Sequence, residues 1–411
     1  MTFLYIDPGT GSMLFTILIG VIGAAVYSLK MLWIKMKYKL TGEKTETGGE
    51  KLPFVIFSDD KRYWRIFEPI CRELGKRGKS VTYLTQSEDD PAFESDLDNV
   101  TAECLGKDNK AFARMNFLNA NIVLSTTPGL EVYQWKRSKT VDWYVHIPHA
   151  ATEVVLYRMF GIDYYDAVMI SGDYEQRDIR FLEKLRGLPE KELVMVGIPY
   201  MDKMAERLMN DTPLPAHERT VLLAPSWGKS ALFGVYGGRI IAELLKTGYH
   251  VIVRPHPQSF ESEKEMIEKL MREYPQSEQL EWNRDTDNYE VLRRADIMVT
   301  DFSGVAFDFS LVYDKPIIYA NPDFNVDVYD AWWLDYPIWT STALPRIGCE
   351  LMEENMPRLK ELIDECLSET KYSDGRRAVK EETWAHFGEG ASRAADYLVE
   401  KYEELTRENR T

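Results

Sequence analysis

Short apolar runs alternate with amphipathic stretches along most of this chain, and the alternation predicts its architecture. "FVIF" (54–57) reads as a strand, residues 63–78 carry apolar side chains at helical spacing up to a glycine stop, and "SVTYLT" (80–85) reads as the next strand. Further strands are expected at "NIVLST" (121–126), "VDWYVHI" (141–147), "AVMIS" (167–171) and "LVMVG" (193–197). A second cycle begins at "TVLLAPS" (220–226) and continues through "HVIVRP" (250–255), "ADIMVTD" (295–301) and "KPIIYA" (315–320). Helices are expected between these strands, over 238–246, 260–273, 288–294 and 304–312. Strands of this kind, separated by helices, imply parallel sheets with both faces covered. Residues 208–218 hold two prolines and no apolar period, as a linker does, and 352–370 and 379–407 read as terminal helices rich in Glu and Lys. The expected fold class is α/β: a Rossmann-like N-terminal domain over 52–207, a Rossmann-like C-terminal domain over 219–375, and a C-terminal helix over 376–411.

One run departs from this rhythm. "MLFTILIGVIGAAVYSL" (13–29) contains no charged residue. At about 1.5 Å per residue it makes roughly 25 Å of helix, and residues 31–34 carry it past roughly 30 Å, enough to span a bilayer. Lys30, Lys35, Lys37 and Lys39 follow the run and no basic residue precedes it, the reverse of a secretory signal. The expectation is a transmembrane helix of about 12–34 within a membrane anchor over 1–40, then a polar linker over 41–51. Positive charge on the trailing side places the later domains in the cytoplasm, on a single-pass protein of the cell membrane. The glycine-bearing "DPGTGS" (7–12) lacks a strand before it and a GK[ST] after it, so it reads as a turn with Ser12 capping that helix.

Charge and cysteine content narrow the function classes. The 411 residues carry 50 Lys+Arg against 66 Asp+Glu, a net −16, which argues against a nucleic-acid partner. Cys71, Cys104, Cys349 and Cys366 are scattered without a close pair, so neither a zinc knuckle nor a disulfide framework is indicated, and a reducing compartment fits.

In doubly wound sheets ligands sit beyond the carboxyl ends of the strands, and four strand ends carry chemistry. "VIVRPHP" places Arg254 and His256 directly after a strand, a guanidinium and an imidazole suited to a phosphate or diphosphate. "MVTDFSGVAFDF" runs strand, Thr300-Asp301-Phe302-Ser303-Gly304, then helix, where backbone N–H groups and the Ser303 hydroxyl suit an anion. "APSWG" brings Ser226 to the same edge. "VHIPHA" ends a first-cycle strand, so His146 or His149 can face the cleft as a base. Three other strings are set aside. "WGKS" has Leu223 where a phosphate-binding loop needs glycine, "DTD" (285–287) precedes a helix it can cap, and "HIPH" lacks a third metal ligand.

Taken together, these stretches resemble the CDP-glycerol glycerophosphotransferase family, the teichoic-acid primases and polymerases, over roughly residues 52–330. "FSDDKRYWRIFEPICRELGKRG" resembles the family's opening strand and helix, and "HIPHA" falls where the family has HGTPLK. "VGIPYMD" is similar to GYPRND, "VLLAPSW" to LYAPTWR and "VIVRPHP" to RxHP; the segment 295–323 resembles the aspartate–serine stretch that ends in KPIIFY. The resemblance implies a GT-B fold, an N-terminal acceptor domain facing a C-terminal nucleotide-donor domain. It implies transfer of glycerol phosphate, or a similar polyol phosphate, from a CDP-linked donor to an acceptor hydroxyl with release of CMP. The acceptor implied is lipid-linked or membrane-borne. Carried over, His149 is the base with His146 in reserve. Arg254 and His256 hold the donor diphosphate, and Thr300, Asp301, Ser303, Gly304 and Ser226 cradle phosphate. Fixed cations and amides stabilise charge in this scheme, so neither a metal nor a cofactor is required. Departures are Tyr200 and Gly228 at two family arginines, Gly304 at the cradle's second serine, and the missing glycine and lysine of HGTPLK. They leave the donor open among CDP-glycerol, CDP-ribitol, another nucleotide-activated group and a UDP-sugar, with a GT-B glycosyltransferase, a nucleotide-sugar epimerase and a non-catalytic scaffold as alternatives.

Overall fold

The computed structural model describes residues 51–285, 287–320 and 325–408, together with Leu29. The expected transmembrane helix and its linker lie outside the described residues, and among the described ones no helix is long and apolar enough to cross a membrane.

The first sheet consists of β1 (Leu52–Ser58), β2 (Val81–Thr85), β3 (Val100–Cys104), β4 (Asn119–Ser125), β5 (Thr140–His146), β6 (Ala167–Ile170) and β7 (Glu192–Met195). The second consists of β8 (Thr220–Leu223), β9 (His250–Val253), β10 (Leu280–Trp282), β11 (Ile297–Thr300), β12 (Ile317–Tyr319) and β13 (Gly348–Glu350). Their spatial orders are β3-β2-β1-β4-β5-β6-β7 and β10-β9-β8-β11-β12-β13, with parallel pairing throughout. Central strands such as β8 and β11 are buried along their whole length, which is why they read as unbroken apolar runs. In both sheets the order reverses at the centre, between β1 and β4 and between β8 and β11. A crevice opens at such a reversal, beyond the strands' carboxyl ends.

Three strands were not expected from the pattern: β3, β10 and β13. All three are sheet edges, with sequences VTAEC, LEW and GCE in which charged residues face outward. Two expected helices differ in form. The helix over 304–312 is one turn, Val305–Phe307, followed by a wide π turn over Asp308–Val312. The helix over 260–273 breaks at Glu263 into Ser259–Ser262 and Lys264–Glu273; the Glu263 carboxylate accepts from the Gly228 amide at 3.0 Å.

The terminal helices return to the first half. Gly390–Glu408 lays Tyr402 against Phe54 (5.1 Å between rings), and Tyr397 accepts from the Trp143 indole at 3.1 Å. Asp202 fixes the start of this helix, accepting from the amides of Gly388 and Gly390 at 2.8 and 2.9 Å. Close approach at this seam requires Gly197, whose φ is +83° and whose added Cβ would lie 2.0 Å from the Ala385 carbonyl oxygen. Buried polar groups line the rest of the seam. Glu153 accepts from the Thr340 amide (2.9 Å) and hydroxyl (2.6 Å), and Asp178 accepts from the Tyr336 hydroxyl at 2.9 Å.

Candidate active site

The two crevices face each other, and loops from each touch. Gly304, at the end of the β11 loop, leaves an added Cβ 3.0 Å from Ala150 Cβ, in the loop that follows β5. Its φ is an ordinary −58°, so the contact with Ala150, rather than backbone strain, is what a side chain there would disturb.

On the first side, register sets Phe57, Ser125 and His146 in a row across β1, β4 and β5. Asp59, Thr126, Thr127 and the loop bearing His149 therefore emerge together at the carboxyl edge. His146 is fully buried, and burial, reinforced by the His149 charge, lowers it to about 3. His149 is half-buried and is lowered to about 4 by burial and by the charges of Arg62, Arg65 and His256. The Tyr157 hydroxyl lies 3.2 Å from His146 Nε2 and 3.2 Å from His149 Nδ1. The Tyr63 ring sits 5.2 Å from the His149 ring. Asp59 is half-buried, its Oδ1 has no partner, and burial pushes its carboxyl up.

On the second side, Arg254 is held by Asn283 Oδ1 and by the Asp285 carbonyl at 2.7 Å. Burial pulls the Arg254 guanidinium down from its ordinary value, a range in which it stays charged at neutral pH. His256 Nδ1 accepts from the Gln258 amide at 3.1 Å, which places the neutral ring's proton on Nε2. Burial, with the charges of Arg62 and Arg254, lowers His256 to about 4. Both cleft histidines are thus neutral at pH 7, and fixed positive charge comes from guanidinium groups.

The expected cradle is built differently from its prediction. Thr300 is fully buried and its hydroxyl donates to the Ala224 carbonyl at 2.7 Å, tying β11 to the end of β8. Asp301 is also fully buried. It accepts from the amides of Ser226 (3.0 Å to each oxygen), Leu232 (3.0 Å) and Ser303 (3.2 Å). These two side chains are therefore corrected from ligand contacts to the internal frame of the loops, because their polar atoms are already engaged there. Ser303, Gly304 and the Ser226 side chain remain at the half-buried cleft edge. The "DTD" string caps, since Asp287 accepts from the Tyr289 amide at 3.0 Å, and among the described residues no group of three or more His, Cys, Asp or Glu gathers around a metal-sized site.

Several residues escaped the sequence reading. Arg62 and Arg65 stand at the start of the helix Trp64–Lys76, and their charges reach His149; Arg65 also reaches Arg254 and Asp308 across the cleft. Arg65 lies 4.9 Å from the Tyr200 ring and 3.4 Å from Asn288 Oδ1. A signal existed for them. Basic residues at a helix N-terminus oppose its dipole unless an anion is to be bound there, and this helix has no acidic residue in its first turn. Asp59 directly follows a strand and is within reach of the same strand-end rule. Nothing local marks Tyr157.

This geometry can hold an anion between guanidinium groups of both halves, donate to it from His256 Nε2–H, and offer an imidazole from the opposite loop. The family model described as CDP-glycerol:poly(glycerophosphate) glycerophosphotransferase matches residues 135–401, about two thirds of the chain. The match begins after β4, so the first helix and its arginines lie outside it. The teichoic acid glycerol-phosphate primase of Bacillus subtilis (strain 168) is 23% identical over 171 residues, 39% of this chain and 41% of that protein; the chain thus spans about two fifths of the length of that relative. Among solved structures, the wall teichoic acid polymerase TagF superposes with a TM-score of 0.57 at 15% identity, covering 86% of this chain and 90% of the other. The S. aureus MnaA–UDP complex gives 0.55 at 11% identity, over 87% and 98%, and a glycosyltransferase from Rickettsia africae gives 0.51 at 11%, over 87% and 99%. These likenesses show the fold, the paired Rossmann-like sheets of GT-B proteins.

Proposed function

The chain belongs to the CDP-glycerol:poly(glycerophosphate) glycerophosphotransferase family, and on that premise we propose that it moves glycerol phosphate, or a similar polyol phosphate, from a CDP-linked donor to an acceptor hydroxyl. The observation that carries this reading is the meeting of unlike groups across one cleft: the loop bearing His149 touches the Ser303–Gly304 turn, where an added Gly304 Cβ would lie 3.0 Å from Ala150, and Arg65 of the first half reaches Asn288 of the second at 3.4 Å. The first half would hold the acceptor and the second the donor. The acceptor oxygen attacks the phosphorus that bears the polyol, and His149 takes the hydroxyl proton. The bond from that phosphorus to the CMP oxygen breaks, and CMP leaves with the electron pair. Arg254 and the His256 N–H stabilise charge on the diphosphate, and the Ser303–Gly304 turn flanks it.

The apolar run at 13–29 and the lysines after it support a chain anchored in the cell membrane with its catalytic halves on the cytoplasmic side. An anchor would keep the cleft beside a lipid-linked acceptor, in synthesis of a teichoic-acid-like polymer. The test is thermal unfolding of the full chain in detergent with CMP, CDP-glycerol, UDP-sugars and GDP-sugars, followed by assay of CMP release. Stabilisation by CMP and CDP-glycerol is expected. Preference for UDP-sugars would replace the reading with a glycosyltransferase, and the absence of any shift would remove it.

A further inference from the structure

A base with two ring nitrogens is defined only when one of them is known to be free, and the side chains behind His149 decide which. Tyr157 stands between two imidazoles, 3.2 Å from His146 Nε2 and 3.2 Å from His149 Nδ1. Its ring stacks on His149 (5.5 Å, 24°) and meets His146 edge-on (5.3 Å, 86°). Burial keeps this phenol protonated, so it has one proton to give. Each neutral imidazole has one N–H and one lone pair. With the phenol's proton given to one of the two imidazoles, two proton orders satisfy both contacts. In one, the phenol donates to His146 Nε2 and accepts from His149 Nδ1–H, leaving a lone pair on His149 Nε2. In the other, both bonds run in the opposite sense and His149 carries its proton on Nε2.

Turnover separates the two orders. Once His149 has taken a proton on Nε2 it is a cation with N–H on both nitrogens. Only the first order gives its Nδ1–H an acceptor; the second sets O–H against N–H. His146 cannot share that proton, because it is fully buried; in the first order its own proton sits on Nδ1, which has no partner, a cost that this order carries in the resting state. It serves as the acceptor that fixes the direction of the phenol. We infer that Tyr157, backed by His146, is the positioning residue that holds His149 in the Nδ1–H form with Nε2 open to the acceptor hydroxyl. The inference rests on His149 as the proton acceptor, and it extends base-plus-orienter logic to a phenol in the orienting place.

The test measures the His149 tautomer directly, by 15N-imidazole NMR of the full chain, alongside turnover. Wild type is expected to show His149 protonated on Nδ1. Tyr157→Phe keeps the ring contacts and is expected to give a mixture of tautomers, with kcat lower by about 10–100-fold and KM for CDP-glycerol within about twofold, as losses of orienting groups usually are. His146→Gln, which can still accept from the phenol, should retain more activity than His146→Leu. A His149 found protonated on Nε2 in wild type overturns the inference, as does Tyr157→Phe with unchanged tautomer and kcat. If His149→Ala retains turnover, the base reading falls, while a Tyr157-dependent tautomer still upholds the positioning role.

Discussion

His149 and His256 enter the same cleft from opposite halves, both at strand ends, both near 4, and they are held in opposite ways. His256 is fixed by its own turn: the Gln258 amide, two residues on, donates to Nδ1 and leaves Nε2–H to face outward. His149 is fixed by a side chain, the phenol of Tyr157, and through it by His146 at the end of β5. One imidazole is therefore a hydrogen-bond donor by backbone geometry, which suits a phosphate oxygen. The other owes its state to a network of side chains, which suits a group that must gain a proton and lose it again. The residue type is the same and both rings are half-buried; what the inner nitrogen touches sets the role.

The largest expected effect breaks this pair apart. His149→Ala should lower kcat for transfer by about 10³-fold, within the usual range for a general base, and leave the CMP dissociation constant within about twofold. His256→Ala should instead weaken CMP or CDP-glycerol binding by about tenfold or more, the worth of a hydrogen bond to a charged group. Isothermal titration with CMP and steady-state rates of CMP release check both. If the two variants show the same signature, the division of roles across the cleft is wrong.

The same division explains what the sequence revealed. His256 and its support lie within three residues of each other, and the apolar run of β9 points to them. The central strands β1, β4, β8 and β11 were equally legible, because both faces are buried and the chemistry is uniform along them. Edge strands β3, β10 and β13 were not, because β10 and β13 are three residues long and each of the three carries a glutamate, so they read as loop. Thr300 and Asp301 were found but misread: a strand-end Asp looks alike whether it meets a ligand or three amides of its own fold. Tyr157 and Arg65 act across the fold, on groups their sequence neighbourhoods do not mention.

A smaller effect tests how closely the halves must meet. Gly304→Ala places a methyl 3.0 Å from Ala150 Cβ, tighter than ordinary contact, so one loop must move by a few tenths of an ångström. A shift of that size should lower kcat by about fivefold, since misplacement by about 1 Å costs far more. Adding Ala150→Gly removes the opposing methyl and should restore most of the rate. A rate indifferent to both changes would show that the Ser303–Gly304 turn does not set the distance between the two histidines.

The contrast between backbone-held and side-chain-held groups recurs one layer deeper, in two buried carboxylates. Asp301, behind the second-half loops, receives amides on both oxygens and is raised to about 6 by burial. Glu175, near Tyr157, accepts the Ser171 amide (2.6 Å) and hydroxyl (3.0 Å) on Oε2 alone; Oε1 has no partner, and burial raises the group to about 8. A folded carboxyl raised above its ordinary value binds protons the unfolded chain has released, so its contribution to stability falls as pH rises through that window. For Glu175 the window runs from about 4.5 to about 8. Glu175→Gln can keep the acceptor toward Ser171 and place its amide where no donor stands. It should therefore flatten the pH dependence of unfolding and stabilise the protein at pH 8, by about 1 kcal/mol in order of magnitude. Asp301→Asn must set an NH₂ against a backbone N–H whichever way the amide turns, and should destabilise by about 1–3 kcal/mol at every pH. Denaturant unfolding at pH 6 and pH 8 checks both signs. Equal effects from the two substitutions would mean that the first-half carboxylate is as fully satisfied as the second.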